Sequence, residues 1–262
     1  YTPGAFIRPV KTKMYSLSDS LLHYSSVNDP TDWNTGSTGA GFINLQNHAR
    51  GSEDLKAVAN YFSNVAVLAE QAVQIWFVDA DETQNQQIQV LNNTGTIAPD
   101  SVVEFGDNDV FYLSNSGIRS LRARDSSNAA FVGDIGNPID DLIVADIQAN
   151  ILNARKGTAI HEPRDGRYLL AIGSKIYVFS YFPSSKVSAW SIYEPGFTVD
   201  KWAYDGTQIL ARSGNKLYSL GGANGTTYDN TTVTVQMPFL DAGRPATFKD
   251  FQSMDITCEN TW

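Results

Sequence analysis

One hairpin phrase recurs along this chain, and that recurrence constrains its fold more than any other feature. The clearest copies are Asp107–Leu113 with Gly117–Leu121, Asp165–Ala171 with Lys175–Phe179, and Asp205–Ala211 with Lys216–Leu220. Each has an acidic turn, a short apolar strand, a Gly or Ser tip and a second strand. Two looser copies precede them, Val65–Leu68 with Val73–Trp76 and Met14–Leu17 with Leu21–Tyr24. The intervals between clear copies are roughly 40 to 60 residues, and paired strands at such a period indicate a propeller or a related all-β array. The predicted fold class is therefore all-β, a β-propeller-like array of antiparallel hairpin blades with one inserted short helix.

A chain of 262 residues with 42% hydrophobic and 18% charged residues is globular, and long enough to bury a sizeable core. The expected organisation is a propeller-like domain over residues 1–235, with blades near 13–45, 55–91, 97–135, 158–198 and 199–237. Residues 236–262 are expected to begin a further, truncated β segment, because the chain opens on Tyr1 and ends within a strand-like stretch; we expect a fragment or processed product. A helix is expected over 138–156. Pro138 and the carboxylates of Asp140 and Asp141 favour its start, and Leu142, Ile143, Ala145, Ile147, Ile151 and Leu152 recur at helical spacing. The run Asp54–Phe62 has apolar residues at 55, 58, 59 and 62, which predicts one or two helical turns.

There are 28 acidic against 19 basic residues, a net charge of −9, and the isoelectric point is near 4.7. Such a surface repels phosphate backbones and argues against a sequence-reading nucleic-acid binder, while suiting a conduit to which DNA does not stick. The single cysteine, Cys258, leaves no internal disulfide framework and agrees with assembly in a reducing cytosol. No stretch reaches the ~20 apolar residues of a membrane helix, and no membrane insertion is expected.

Catalytic constellations are missing from the pattern. His23, His48 and His161 are far apart and lack cysteine partners, so neither zinc nor any other cofactor is expected. Asp79-Ala80-Asp81-Glu82 and Asp107-Asn108-Asp109 lack the further ligands of a calcium loop and read as turn formers. Ser37 has no nucleophile elbow, and Gly36, Gly39 and Gly41 fit no phosphate-cradling order. The enzymatic rival is a carbohydrate-binding or glycosidase propeller, with Glu104, Asp134 and Glu162 as candidate carboxylates. Clustering of Glu104, Glu162 and two or more tryptophans around one cleft would favour it, whereas Trp76, Trp190 and Trp202 lie in predicted strands, where core packing is their expected role. Arg119, Arg122 and Arg124 form the one basic cluster, a candidate contact with an acidic neighbouring subunit.

The order of several phrases carries a resemblance. Leu21-Leu22-His23-Tyr24-Ser25 precedes Asn28-Asp29-Pro30-Thr31-Asp32-Trp33; then come Gln74-Ile75-Trp76, Gly95–Val102, Leu113–Ser120 and Gly243–Lys249. Over most of residues 13–250 this order resembles the tail nozzle proteins of short-tailed bacteriophages, also called tail tubular or packaged-DNA-stabilisation proteins. The resemblance implies a non-enzymatic virion protein, assembled in the host cytoplasm as a ring of about six copies. It further implies partners in the portal adaptor and in tail fibre or spike proteins. Packaged DNA would be retained and then conducted through the lumen without specific binding. On that reading Asp79, Asp81, Asp107 and Asp109 are candidate channel-lining residues.

Overall fold

A computed structural model of the chain describes residues 6–46, 54–105, 109–123, 130–182 and 187–221. The chain divides into two compact units, Tyr1–Thr227 and Tyr228–Trp262, and every described residue belongs to the first. The strand expected at 231–237, the segment 236–262 and the phrase Gly243–Lys249 lie outside the described residues.

Five antiparallel sheets follow one another along the described chain. The first contains β1 (Phe6–Val10), β2 (Lys13–Ser18), β3 (Leu21–Tyr24) and β4 (Gly41–Asn44). The second contains β5 (Leu55–Tyr61), β6 (Asn64–Ala69), β7 (Ala72–Phe77) and β8 (Gln86–Asn92). β9 (Val103–Phe105), β10 (Asp109–Ser114), β11 (Gly117–Ala123) and β12 (Ala130–Gly133) make the third. The fourth is β13 (Thr158–Glu162), β14 (Arg167–Ile172), β15 (Lys175–Phe182) and β16 (Val187–Tyr193). The fifth has three described strands, β17 (Lys201–Tyr204), β18 (Ile209–Ser213) and β19 (Lys216–Leu220). Strand order within every sheet is sequence order, so each sheet is a meander of hairpins. Two-residue tips close several of them: Ile172 pairs with Lys175 and Ser213 with Lys216. Gly173 and Gly214 take φ of 59° and 56° there, the left-handed conformation such tips require.

The core is divided among successive sheets. Along β14, Tyr168, Leu170 and Ile172 pack toward the third sheet, while Leu169 and Ala171 pack toward the fifth. Along β10, Val110 and Tyr112 join the second sheet, and Phe111 and Leu113 join the fourth. Val58, Val65, Val67 and Trp76 of the second sheet meet Tyr15, Leu17, Leu22 and Tyr24 of the first. Period-2 alternation thus feeds two neighbouring interfaces instead of one core and one wet face. Sheets stacked face to face in this way are blades, and the fold is an all-β, propeller-like array. The first sheet's other face carries Ile7, Ser16, His23 and Phe42 on one cross-strand row, with Phe42 58% exposed.

Double burial also explains a correction. The expected helical turns at 54–62 are β5, which pairs with β6 from Leu55–Ala69 to Tyr61–Asn64. Ala57, Ala59 and Tyr61 enter the interface with the third sheet and Val58 that with the first, so no polar face marks the strand's period. The helix expected over 138–156 is present as α1 (Asp140–Ala149) and α2 (Ile151–Arg155). Asn150 divides them with φ −156° and ψ 88°, and its side-chain oxygen accepts from the Asn153 N–H at 3.1 Å to cap α2. Ile143, Ile147 and Ala154 are buried beneath the third and fourth sheets, whereas Leu152 is 68% exposed.

Buried tyrosines join the blades and confer a pH response. Burial pushes the hydroxyls of Tyr24, Tyr61 and Tyr112 up to about 12, and those of Tyr15, Tyr168 and Tyr177 are also raised by burial. A group whose folded value lies above its unfolded value of 10.0 stabilises fully below pH 10, and that contribution is lost as pH rises through the folded value. Ultraviolet titration should therefore show these six tyrosines protonated at about pH 11, ionising together with unfolding near pH 12. Ionisation of all tyrosines in a single step near pH 10, with the fold intact, would contradict this burial.

Candidate functional site

The acid-bearing loops of the first two sheets gather at one end of the array. Tyr24 Oη at the end of β3 donates to Glu82 Oε2 at 3.1 Å, and Lys11 Nζ in the β1–β2 turn donates to Val78 O at 2.6 Å, fixing the 78–85 loop on the first sheet. The 25–40 loop lies against it, a Cβ on Gly39 falling 3.3 Å from Ala80 O. Within the second loop, Asp81 N–H donates to Asp79 Oδ1 at 3.1 Å, and Thr83 donates to Asp81 Oδ1 through its N–H at 3.0 Å and its hydroxyl at 2.7 Å. The Thr83 bonds hold the Asp81 carboxyl below the usual range. In the first loop Asp32 accepts from the N–H groups of Asn34 and Thr35, both at 3.0 Å, and from Ser26 Oγ at 2.7 Å, which holds its carboxyl well below the usual range. Trp33 Nε1 closes the loop onto Pro30 O at 2.8 Å. The phrase Asn28–Trp33 thus folds on itself through short-range side-chain bonds.

Beneath these loops sits a buried cation. Lys13 is 3% exposed, and its ammonium lies 4.7 Å from the Tyr24 ring centroid with no hydrogen-bond partner among the described residues. Burial lowers its pKa, while the charges of Glu82, Asp79 and Asp81 act to raise it. The acidic loops therefore compensate an internal charge as well as facing outward.

The remaining sequence candidates are placed separately. Asp109 is half-buried at the start of β10; burial raises its carboxyl, and Arg122, 3.7 Å away, opposes that shift. Asp107 and Arg124 lie outside the described residues. Arg119 and Arg122, three positions apart in β11, fall on opposite faces of the strand. Arg119 Nη1 reaches Asp140 Oδ2 at 2.7 Å and Asp134 Oδ1 at 2.9 Å, and Nη2 reaches Ser116 O at 2.7 Å. Arg122 Nε donates to Ser120 Oγ at 3.0 Å. Both guanidiniums are engaged within the chain.

The first strand of each sheet is an edge strand, and these five edges surround a central cavity of about 420 Å³. β1 contributes Phe6 and Arg8, β9 contributes Val103 and Glu104, β13 contributes Ile160 and His161, and β17 contributes Lys201 and Trp202. Glu104 Oε1 accepts the free-edge N–H of Asn60 in β5 at 2.7 Å, and Trp202 Nε1 donates to Thr158 O of β13 at 3.0 Å. Lys201 is paired with Asp100. His161 rests 4.6 Å from the Phe105 ring, and burial lowers its pKa. Sequence reading missed this cavity, because its residues come from strands far apart in the chain with no shared motif.

The glycosidase candidates do not converge. Glu104 and Trp202 line the cavity, but Glu162 is 2% exposed and bound to Arg167 at 3.0 Å, and Asp134 pairs with Arg119. Trp76 is buried between the first and second sheets, and Trp190 packs on Phe179 with its N–H on Ile135 O. Among the described residues no three His, Cys, Asp or Glu side chains are grouped to hold a metal, and no helix is long and apolar enough to cross a membrane.

Fold and cavity define the class as an all-β, propeller-like protein. No family model matches the chain, and no curated protein matches it. Among solved structures it is similar to the β-propeller domain of Cps50 (Swd1) from Myceliophteria thermophila, at 8% identity and TM-score 0.44, over 80% of this chain and 62% of that one. It is similar to the extracellular domain of BT4673 from B. thetaiotaomicron at 13% identity and TM-score 0.44, over 91% of this chain and 28% of that one. The AfRom2 CNH domain matches at 10% identity and TM-score 0.44, over 81% of this chain and 65% of that one. This chain spans less than two thirds of each of the three.

Proposed function

We propose that this chain is a structural, non-catalytic subunit of a phage tail nozzle, forming a ring of about six copies beneath the portal adaptor. The ring retains packaged DNA, passes it through an acidic lumen at ejection and carries tail fibre or spike proteins. The observation that supports this reading is the gathering of Asp29, Asp32, Asp79, Asp81 and Glu82 on two linked loops at one end of the array. Short-range hydrogen bonds hold the carboxyls of Asp29, Asp32 and Asp81 below the usual range, and such charges repel a polyanion without offering it a docking site. Among the described residues, the phrases that resemble the nozzle family lie on β3 and the loop after it (21–33), on blade hairpins (74–76 and 113–120) and on the connection between the second and third sheets (95–102).

Assembly tests the proposal. Purified chain, alone and mixed with a portal–adaptor complex, should form closed rings of about six copies that cap the adaptor in mass photometry and negative-stain images. A monomer that ignores the complex would overturn the reading. The carbohydrate-propeller alternative retains one supporting observation, Glu104 and Trp202 in the same cavity, and glycan binding by that monomer would favour it.

A further inference from the structure

We infer that the central cavity is a binding site for a small zwitterion, with the size and chemistry of a free amino acid bearing an apolar side chain. The inference stands apart from the nozzle proposal and rests on two opposite charges that share the cavity without meeting. Arg8 donates from Nη1 to the Ile7 carbonyl at 3.2 Å, and no carboxylate among the described residues lies within ion-pairing distance of it. Glu104 accepts one backbone N–H, that of Asn60, and no cation among the described residues lies within ion-pairing distance. Both side chains line the same 420 Å³ space.

The other ionisable groups leave that balance intact. Lys201 and Asp100 neutralise one another. His161 is held toward its neutral form by burial. One positive and one negative group therefore remain with bonding capacity to spare, and a ligand carrying a carboxylate and an ammonium satisfies both with charge-assisted hydrogen bonds. A simple anion would pair with Arg8 and face Glu104, and a simple cation would meet the reverse. A neutral sugar would compensate neither. Phe6, Val103, Ile160 and Trp202 provide apolar wall, and the volume is toward the small end of ligand pockets, roughly 300–1,000 Å³. The free-edge N–H of Asn60 already holds a carboxylate, so these edges accept the group a ligand would bring.

The test uses L-phenylalanine and L-leucine as probes in calorimetric titration and ligand-observed NMR at low salt. Two analogues each remove one charge: 3-phenylpropionate lacks the ammonium and 2-phenylethylamine lacks the carboxylate. The expected result is saturable binding of the amino acids, weakened about tenfold or more in each analogue and in Arg8→Gln and Glu104→Gln. Gln at 104 keeps a carbonyl to accept the Asn60 N–H, and thermal unfolding checks that both variants fold. Absence of amino-acid binding, or equal binding of phenylalanine and its two analogues, overturns the inference without recourse to any variant. Binding of sugars alone overturns it as well. Ring assembly is unaffected by any of these results, so this inference and the nozzle proposal fail separately.

Discussion

Gly95→Ala is expected to lower the free energy of unfolding by about 3 kcal/mol or more in urea or guanidinium titrations. A Cβ at this position would lie 2.2 Å from Ala69 O and 2.8 Å from the Glu70 carbonyl carbon, both backbone atoms that cannot swing aside. Moving the segment instead would disturb the hydrogen bonds of residues 96–101. Thr96 N–H donates to Ala69 O at 2.9 Å, and Ile97 N–H donates to Leu113 O at 3.0 Å. Ser101 Oγ donates to Ala98 O at 2.6 Å and accepts Leu113 N–H at 2.9 Å, while Tyr168 Oη donates to Ser101 O at 3.1 Å. These groups are buried, and each one orphaned adds about 1–3 kcal/mol. Gly36→Ala is the control, since nothing lies within 4 Å of a Cβ there. Its effect should stay within about 0.5 kcal/mol. Equal stability for the two variants would mean that the 94–102 connection does not grip the second and third sheets.

Removing the Arg119 guanidinium has the second large effect. Arg119→Met should cost about 3 kcal/mol, because it strands the carboxylate of Asp140 beside a hydrophobic interface. Asp140 Oδ1 also accepts the Ile118 N–H at 3.2 Å, so the same carboxylate ties α1 to β11. Burial already raises Asp140 from its ordinary value of 3.8, against the pull of Arg119. A carboxyl whose folded value is raised is most stabilising below its unfolded value, and that contribution is lost as pH rises through the folded value. The deficit of Arg119→Met relative to the native chain should accordingly shrink between pH 7 and pH 5. Arg119→Met combined with Asp140→Asn should recover more than half of the loss, as coupled neighbours do. Strict additivity, or a deficit that ignores pH, would assign Arg119 a merely peripheral role.

What could be read from the chain depended on whether a signal was local. Hairpins closed by Gly or Ser tips announce themselves through a few adjacent residues, and β6, β15 and β19 lie where the alternation placed them. β5 did not announce itself, because a strand buried on both faces has no polar phase and its apolar spacing imitates a helix. The break at Asn150 was equally hidden, since a single Asn inside an apolar-periodic run reads as tolerable until its side chain caps the next turn. Arg119, Arg122 and Arg124 form a cluster in sequence, but pleating separates the first two, and their acidic partners, Asp134 and Asp140 for Arg119 and Asp109 for Arg122, are distant in sequence. The acid-rich loops were visible as composition, and their mutual contact was not. The cavity had no local signal at all. Its chemistry arises because the opening strand of every blade ends beside that of the next.

Division of the core into interfaces between consecutive sheets has an evolutionary consequence. Apart from the cavity, a sheet here answers chiefly to the two sheets beside it, so the fitness of a blade is judged locally. Duplicating one blade supplies a newcomer with one face already matched to its neighbour, so a single new interface has to be repacked, and deleting one likewise creates a single new interface while the rest keep their original partners. Lineages built on such a plan are free to change blade number in single steps while the loops at one rim diverge independently.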